Sequence, residues 1–190
     1  MSVLAPGLRS IGIDDGPLVR GRRADVLVVG AIYRGGTWFD GLLTTRVRQD
    51  GWNATERLIA MLGDNKFSPQ LRYAILDGIA LGGFNVIDLD RLHAATGLKI
   101  LVPMRRPPDR AAMRRALEHL PRPAARWRLI ERAGAIVPIG RLHCQLRGMQ
   151  PAEAEQLLAL TCTRSHLPEP LRAAHLIAGG LTTGISGRRA

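Results

Sequence analysis

Residues 24–51, with the sequence ADVLVVGAIYRGGTWFDGLLTTRVRQDG, decide the fold of this chain. The first part is rich in β-branched residues, which favour a strand, and Gly35–Gly36 supplies a turn. A second strand follows the turn and ends at Asp50–Gly51. Because another short strand, LRSIGID, precedes them at residues 8–14, the three segments predict an antiparallel meander.

The rest of the chain alternates between helices and strands. Apolar runs predict four further strands, at residues 71–76, 98–104, 126–134 and 141–148. Helical spacing of apolar residues, with a cap or a proline at the start, predicts five helices, at residues 54–65, 88–97, 109–120, 152–161 and 171–180.

Local signals mark the ends of three helices. Asn53 and Glu56 predict a capping box, Asp109 predicts a cap, and Gly179–Gly180 predicts the end of the last helix. The order of elements predicts an α/β fold, a mixed sheet in which an antiparallel meander is followed by parallel strands, flanked by helices. We expect one domain over residues 1–190, with its core at about residues 9–180 and a flexible tail at 181–190.

The composition excludes several classes of protein. Hydrophobic residues make up 46% of the chain, yet no apolar run approaches the roughly 20 residues of a membrane span. The N-terminus has no basic region followed by a long apolar stretch, so no signal peptide is predicted. Cys144 and Cys162 are too isolated for a disulfide framework or a zinc motif. We therefore expect a soluble, reduced, cytoplasmic protein.

The net charge of +11 is concentrated in the second half of the chain. Residues 1–100 hold 12 basic and 10 acidic residues, whereas residues 101–190 hold 15 and 6. Nine arginines lie between Arg105 and Arg132, and guanidinium groups suit the geometry of phosphates. This pattern favours a nucleic-acid partner. A genome rich in arginine codons is the alternative explanation, since only two of the 27 basic residues are lysines.

Acidic residues recur where strands end or turns begin. Asp14 and Asp15 follow the first strand, Asp50 closes the third, and Asp77 ends the apolar run YAIL. A carboxylate at the end of a buried strand requires water, a donor or a cation, and magnesium is commonly held by one or two such groups. The pattern therefore points to a magnesium site. The alternative is structural, because three Asp-Gly pairs occur here and Asp-Gly is an ordinary turn signal.

His175 stands in the middle of the apolar helix that follows PEP at residues 168–170. On a helix it shares a face with Leu171, Arg172 and Ala178. If that face meets the carboxylates, the imidazole can position or deprotonate a water and Arg172 can offer its charge to a phosphate. Without the carboxylates, a histidine here is a structural residue of the core.

Four stretches together resemble a known family: GIDDGP (12–17), DGWNATERL (50–58), LDGIALGGFNVID (76–88) and PEPLRAAHLIAGG (168–180). They resemble the domain of unknown function 99 family, which is related to endonuclease V. The resemblance covers roughly residues 9–180, and the last two stretches are its specific parts. It implies a ribonuclease H-like fold and a magnesium-dependent nuclease that acts near deaminated bases.

The resemblance also implies roles for individual residues. Asp14 and Asp77 would ligate Mg²⁺, or Mn²⁺ in its place, with Asp50 completing the metal site and His175 assisting catalysis. The sequence departs from endonuclease V in lacking its tyrosine-containing wedge and its histidine-proline-arginine segment. These departures concern strand opening and the choice of a deaminated base rather than phosphodiester chemistry.

The leading hypothesis is a metal-dependent endonuclease that cleaves nucleic acid, DNA rather than RNA, at deaminated bases such as deoxyuridine or deoxyinosine in DNA repair. Its nucleic-acid contacts are predicted at Arg105, Arg106, Arg172, Trp52, Gly82 and Gly83. Core packing of the tryptophan and a tight turn at the glycines are the structural alternatives. Two other functions remain open, a non-catalytic nucleic-acid-binding protein of nuclease ancestry and a small phosphate-ester hydrolase.

Overall fold

A computed structural model describes residues 3–18 and 24–187. The strands within this part of the chain are β1 (Arg9–Asp15), β2 (Asp25–Arg34), β3 (Trp38–Arg48), β4 (Leu71–Leu76), β5 (Ala80–Leu81), β6 (Asn85–Val86), β7 (Lys99–Met104), β8 (Val137–Ile139) and β9 (Leu142–Arg147). The helices are α1 (Ala54–Leu62), α2 (Leu89–Thr96), α3 (Arg110–Leu117), α4 (Pro123–Arg132), α5 (Pro151–Thr161) and α6 (Glu169–Thr183), and a 3-10 turn (Ser68–Gln70) precedes β4. Among the described residues, no helix has the length and apolar composition needed to cross a bilayer.

Seven strands form one mixed sheet in the order β3-β2-β1-β4-β7-β9-β8. The first three are the antiparallel meander, and β1, β4 and β7 run parallel to one another. β9 lies antiparallel between β7 and β8, and β5 pairs with β6 in a separate hairpin. This arrangement confirms the predicted mixed sheet, in which a meander is followed by parallel strands.

Alternation along β1 sends its side chains to two layers. Ile11 and Ile13 are fully buried in a cluster that includes residues of α1 and α2. Gly12 and Asp14 point to the opposite face, where α6 crosses the sheet. The same pleat on β4 directs Ile75 into the cluster that contains residues of α5 and α6. The fold therefore presents Asp14 to α6 rather than to solvent.

Small residues let α6 lie close to the sheet. A Cβ atom added at Gly12 would stand only 2.1 Å from the carbonyl carbon of Pro170. Ala174 and Ala178 are fully buried on the face of α6 that packs against β2. This short distance between helix and sheet brings the turn that carries His175 over the end of β1.

Two predicted elements differ from the structure. Residues 126–134 were predicted as a strand, but α4 occupies most of this segment. Pro123 stands in its first turn, and Arg126 and Ile130 are buried at the four-residue spacing of a helix face. The last helix was predicted to end at Gly179–Gly180, whereas α6 continues to Thr183 and is capped by Gly184, whose φ is 80°. The helix thus extends into the segment predicted to be a flexible tail.

One predicted cap is correct and one is wrong. Asp109 caps α3, because its Oδ1 accepts a hydrogen bond from the Ala112 amide at 2.9 Å. Asn53 precedes α1 but makes no side-chain cap. Its Oδ1 instead accepts from the Arg48 amide at 3.1 Å and from the Asn85 side chain at 2.8 Å. The competing bonds join α1 to the end of β3 and to the β5–β6 hairpin.

Candidate metal centre

Two aspartates meet at one edge of the sheet. Because β1 and β4 are parallel neighbours, their carboxyl ends lie side by side, with Ile13 paired to Leu76. The next residue, Asp77, donates its amide to the Ile13 carbonyl at 3.0 Å. Asp14 is only 4% exposed, whereas Asp77 is open to solvent. The pair therefore combines one buried carboxylate with one accessible carboxylate.

His175 joins this pair from α6. Its Nδ1 lies 2.7 Å from Oδ2 of Asp14, and its ring is partly exposed. When Asp14 is ionised, this bond places the proton of a neutral imidazole on Nδ1, which leaves Nε2 as an acceptor. The aspartate thereby fixes both the orientation of the ring and the nitrogen that is free to act.

The three side chains offer a set of ligand atoms for a divalent cation. One oxygen from each aspartate and one ring nitrogen all lie within 4.8 Å of one another. Burial raises the pKa of Asp14 to about 7, with Asp77 and Asp15 adding to the effect while the His175 hydrogen bond opposes it. A cation between these groups would offset both the repulsion and the cost of burying charge. Two carboxylates and a ring nitrogen are a donor set that fits a divalent cation.

Asp15, to which the sequence assigned no role, supports the turn between β5 and β6. Its Oδ2 accepts a hydrogen bond from the Gly82 amide at 2.9 Å. Burial raises the pKa of Asp15 to about 6, although the Gly82 bond lowers it in part. The Gly82 carbonyl accepts from the Asp50 amide at 2.8 Å, so the hairpin turn is held from both sides.

Asp50 was predicted to complete the metal site, but it does not belong to the group of Asp14, Asp77 and His175. Its φ of 48° is left-handed, and its Oδ1 accepts from the Phe84 amide at 2.9 Å. A Cβ atom at Gly83 would stand 2.4 Å from that same oxygen, and Gly82 is buried. The carboxylate and the glycine pair therefore shape the hairpin turn.

Two clefts open on either side of Asp77 and His175. One, of about 360 Å³, has Arg105 and Arg172 in its walls. The other, of about 480 Å³, lies between the two aspartates at the end of β1 and the C-terminal part of α6, where Ile185 forms part of the wall. A polyanion placed over Asp77 would thus have guanidinium groups on one side of it.

Arg172 is held in place by a glutamate that the sequence analysis left without a role. Glu169 is 3% exposed, and both of its carboxylate oxygens accept hydrogen bonds from the Arg172 guanidinium at 2.7–3.1 Å. This pairing raises the pKa of Arg172, so the guanidinium stays charged. The three-residue spacing of Glu169 and Arg172 within PEPLR was the signal available in the sequence.

The other predicted nucleic-acid contacts lie outside these two clefts. Arg106 lines a neighbouring recess of about 290 Å³, which shares Gly78 and Met104 with the cleft of Arg105. Trp52 is 42% exposed, and the Arg126 guanidinium lies 5.1 Å from the centre of its ring. A base that stacked on the Trp52 ring would share the ring with the Arg126 guanidinium.

Comparison with known proteins identifies a matching family and several relatives of high sequence identity. The profile of the family described as endonuclease dU matches residues 6–182. The UPF0215 protein of Methanothermobacter thermautotrophicus is 47% identical over 183 residues, covering 94% of this chain and 90% of that protein. The UPF0215 protein of Deinococcus radiodurans is 48% identical over 178 residues, covering 93% and 90%.

Solved structures show the same fold. A protein of unknown function from Archaeoglobus fulgidus is 37% identical with a TM-score of 0.86, over 92% of this chain and 98% of that one. Endonuclease V of Bacillus subtilis reaches a TM-score of 0.57 at 11% identity, over 96% and 84%. Ciona intestinalis endonuclease V, in complex with a 24mer DNA containing an inosine followed by a ribo-adenosine, reaches 0.51 at 12% identity, over 88% and 82%. The fold class expected from the sequence is confirmed by these likenesses, and the profile match together with the close relatives shows that the chain belongs to the endonuclease dU family.

Proposed function

We propose that this protein is a metal-dependent endonuclease that cleaves phosphodiester bonds in nucleic acid. The observation that carries the proposal is the group of Asp14, Asp77 and His175, whose ligand atoms lie within 4.8 Å of one another between two open clefts. The description of the family and the likeness to endonuclease V support it.

Asp14 and Asp77 would hold the divalent cation, with His175 beside them. When bound, Mg²⁺ or Mn²⁺ at such a site polarises a phosphoryl oxygen and lowers the pKa of an attacking water. The donor set and the buried, mutually repelling carboxylates are the features of this chain that fit such an ion.

The protein groups have separable tasks. The ionised Asp14 accepts a hydrogen bond from Nδ1 of His175, so Nε2 can take a proton from a water or, once protonated, give one to the leaving oxygen. Arg105 and Arg172 line the same cleft as Asp77 and would pair with substrate phosphates. Glu169 keeps the Arg172 guanidinium at the cleft wall.

The proposed substrate is DNA that carries a deaminated base such as deoxyuridine or deoxyinosine, which would give the protein a part in DNA repair. The description of the family and the inosine-containing DNA bound by Ciona endonuclease V support this choice. It fits an excess of arginine on a chain of net charge +11.

The test compares Asp77→Asn with Asp64→Asn, which removes the same charge from an exposed loop. Plain, deoxyuridine and deoxyinosine oligonucleotides, single- and double-stranded, are incubated with Mg²⁺, Mn²⁺ or EDTA. We expect metal-dependent cutting by the wild type and by Asp64→Asn, and none by Asp77→Asn. Binding without cutting in every reaction would favour the non-catalytic alternative, and hydrolysis of mononucleotides alone would favour the small phosphate-ester hydrolase.

A further inference from the structure

We propose that residues 105–132, here called the arginine arm, grip nucleic acid at a run of phosphates that extends from the cleft of Asp77 to several nucleotides away from the cleaved bond. The arm comprises residues 105–109, which precede α3, the helices α3 and α4, and the turn between them. The inference rests on the proposed function only in taking nucleic acid as the partner, because it concerns binding and not the cleavage step.

The charges of the arm are largely exposed to solvent. Of its nine arginines eight are exposed, and it contains only three acidic residues. Arg110 pairs weakly with Glu131 at 3.9 Å, and Arg132 pairs with Asp90 at 3.3 Å. Within the described residues, five other exposed arginines of the arm have no carboxylate within 4.0 Å: Arg106, Arg114, Arg115, Arg122 and Arg128.

The arginines follow a path away from the acidic group. Arg105 lines the cleft of Asp77, and Arg106 and Arg110 line the recess next to it. Arg114 and Arg128 border a third recess between the two helices. The eight residues of α3 extend about 12 Å, which corresponds to roughly three or four nucleotides of one strand. A strand leaving the site along this path would meet the arm over that distance.

A tryptophan at the centre of the arm organises these side chains. The guanidinium carbons of Arg110 and Arg114 lie 4.9 and 5.1 Å from the ring centre of Trp127. The indole Nε1 donates to Glu131 at 2.7 Å, which fixes the ring. Ordered guanidinium groups lose less conformational entropy when they bind phosphate than mobile ones do.

Arg126 is the exception among the arginines, and it is a positioning residue. It is 3% exposed and donates to the backbone carbonyls of Asp50 at 2.7 Å and Gly51 at 2.9 Å, with further bonds to the Phe84 and Pro121 carbonyls. These bonds join α4 to the end of β3 and to the β5–β6 hairpin. Because Asp15 binds that hairpin beside the acidic group, Arg126 sets the orientation of the arm relative to the site.

The test uses Arg114→Gln/Arg128→Gln and, as a control of equal charge, Arg57→Gln/Arg141→Gln, both of which remove exposed arginines. Binding to a duplex that extends well beyond the site is measured in EDTA over a series of salt concentrations. For the arm variant we expect the slope of log K against log salt to decrease by about two and affinity at low salt to fall about tenfold. Arg126→Lys should weaken binding to the long duplex while cutting of a short oligonucleotide persists.

An arm variant with the same slope and affinity as the control would overturn the inference, as would binding of polyglutamate but not of nucleic acid. The endonuclease proposal fails separately. If the wild type binds but never cuts, a reduced slope in the arm variant still supports the arm. If the wild type cuts and the arm variant keeps the wild-type slope, the nuclease stands and the arm does not.

Discussion

The acidic group and the arginine arm are assembled in opposite ways. Asp14 and His175 lie 161 positions apart, and they meet because α6 crosses β1, while Asp77 is added by the parallel pairing of β1 and β4. The arm is one continuous segment of two helices joined by a short turn. The site therefore depends on the packing of the whole sheet, whereas the arm depends on local charge and on one buried residue, Arg126. Changes in the two regions should be separable.

The largest effect is expected for Asp14→Asn. The asparagine keeps the size of the side chain but removes the buried carboxylate proposed as a metal ligand, so the proposed cation site loses half of its carboxylate charge. We expect cleavage to fall by about three orders of magnitude, about 4 kcal/mol of transition-state stabilisation, with little change in nucleic-acid binding. Single-turnover cleavage and equilibrium binding are the measurements.

Asp15→Asn is the comparison for that result. Asp15 bonds to the hairpin amide and does not belong to the three-residue group, so its loss should reduce cleavage far less. Equal losses for the two variants would mean that the hairpin contact, not metal ligation, limits cleavage.

The next effect is expected for Gly12→Ala, which tests the packing on which the site depends. The added Cβ would stand 2.1 Å from a backbone atom of Pro170, and β1 cannot move because it lies between β2 and β4. Overpacking of this kind should lower the free energy of unfolding by about 3 kcal/mol and shift His175 away from Asp14. Thermal unfolding and cleavage report the two consequences.

Gly7→Ala provides the control, since a Cβ at Gly7 meets nothing within 4 Å. If Gly12→Ala unfolds at the wild-type temperature and cleaves normally, the close approach of α6 is not what assembles the site. Reduced stability with normal cleavage would show that His175 tolerates displacement of its helix.

Much of the sheet was predictable because its signals are local. The β-branched run before Gly35–Gly36 and the apolar segments at 71–76 and 98–104 each form the predicted strand. Residues 126–134 were wrongly predicted as a strand because the contacts that hold α4 in place are tertiary. The buried Arg126 donates to carbonyls that follow β3 and to one in the β5–β6 hairpin, and no local pattern reveals these bonds.

The site was predictable in part for a similar reason. Asp14 and Asp77 end parallel neighbouring strands, so strand order alone brings them together. Asp50 also ends a strand, but its left-handed φ of 48° and its bond to the Phe84 amide direct it into the hairpin. The direction of a carboxylate after a strand depends on one backbone torsion, and the residue types do not specify that angle.

A third prediction concerns the pH dependence of the metal-free protein. The pKa of Asp14 rises from 3.8 to about 7 on folding, so the folded state binds the proton more tightly. Its contribution to stability is present below about pH 4 and is lost as the pH rises through 7. In EDTA, the Tm of the wild type should therefore fall between pH 5 and 8 by roughly 5 °C more than that of Asp14→Asn.

Titrating groups remote from Asp14 act equally on both proteins, so the difference between the two curves reports Asp14 together with the groups that interact with it. Mg²⁺ or Mn²⁺ should raise the Tm of the wild type at pH 8 and leave Asp14→Asn nearly unchanged. If the two proteins have parallel curves of Tm against pH in EDTA and neither cation raises the Tm, Asp14 does not carry a buried charge and the site does not bind a metal.

The smallest effect is expected for Glu169→Gln, which alters the cleft between the two regions. Glutamine cannot hold the Arg172 guanidinium through two charged oxygens, so the guanidinium becomes less ordered while keeping its charge. We expect KM to rise about threefold with kcat nearly unchanged, because Arg172 acts on binding of the phosphate. Glu155→Gln, on the exposed face of α5, should change neither constant.

A decrease in KM for Glu169→Gln would contradict the assignment of Glu169 as the residue that holds Arg172 ready for the phosphate. Glu169 would then be competing with the substrate phosphate for Arg172, and its removal would release positive charge into the cleft. The two outcomes also differ in their salt dependence, since freed charge increases the slope of affinity against salt and lost orientation does not. Measured beside the arm variant, this slope shows whether the substrate is held mainly at the cleft or along the arm.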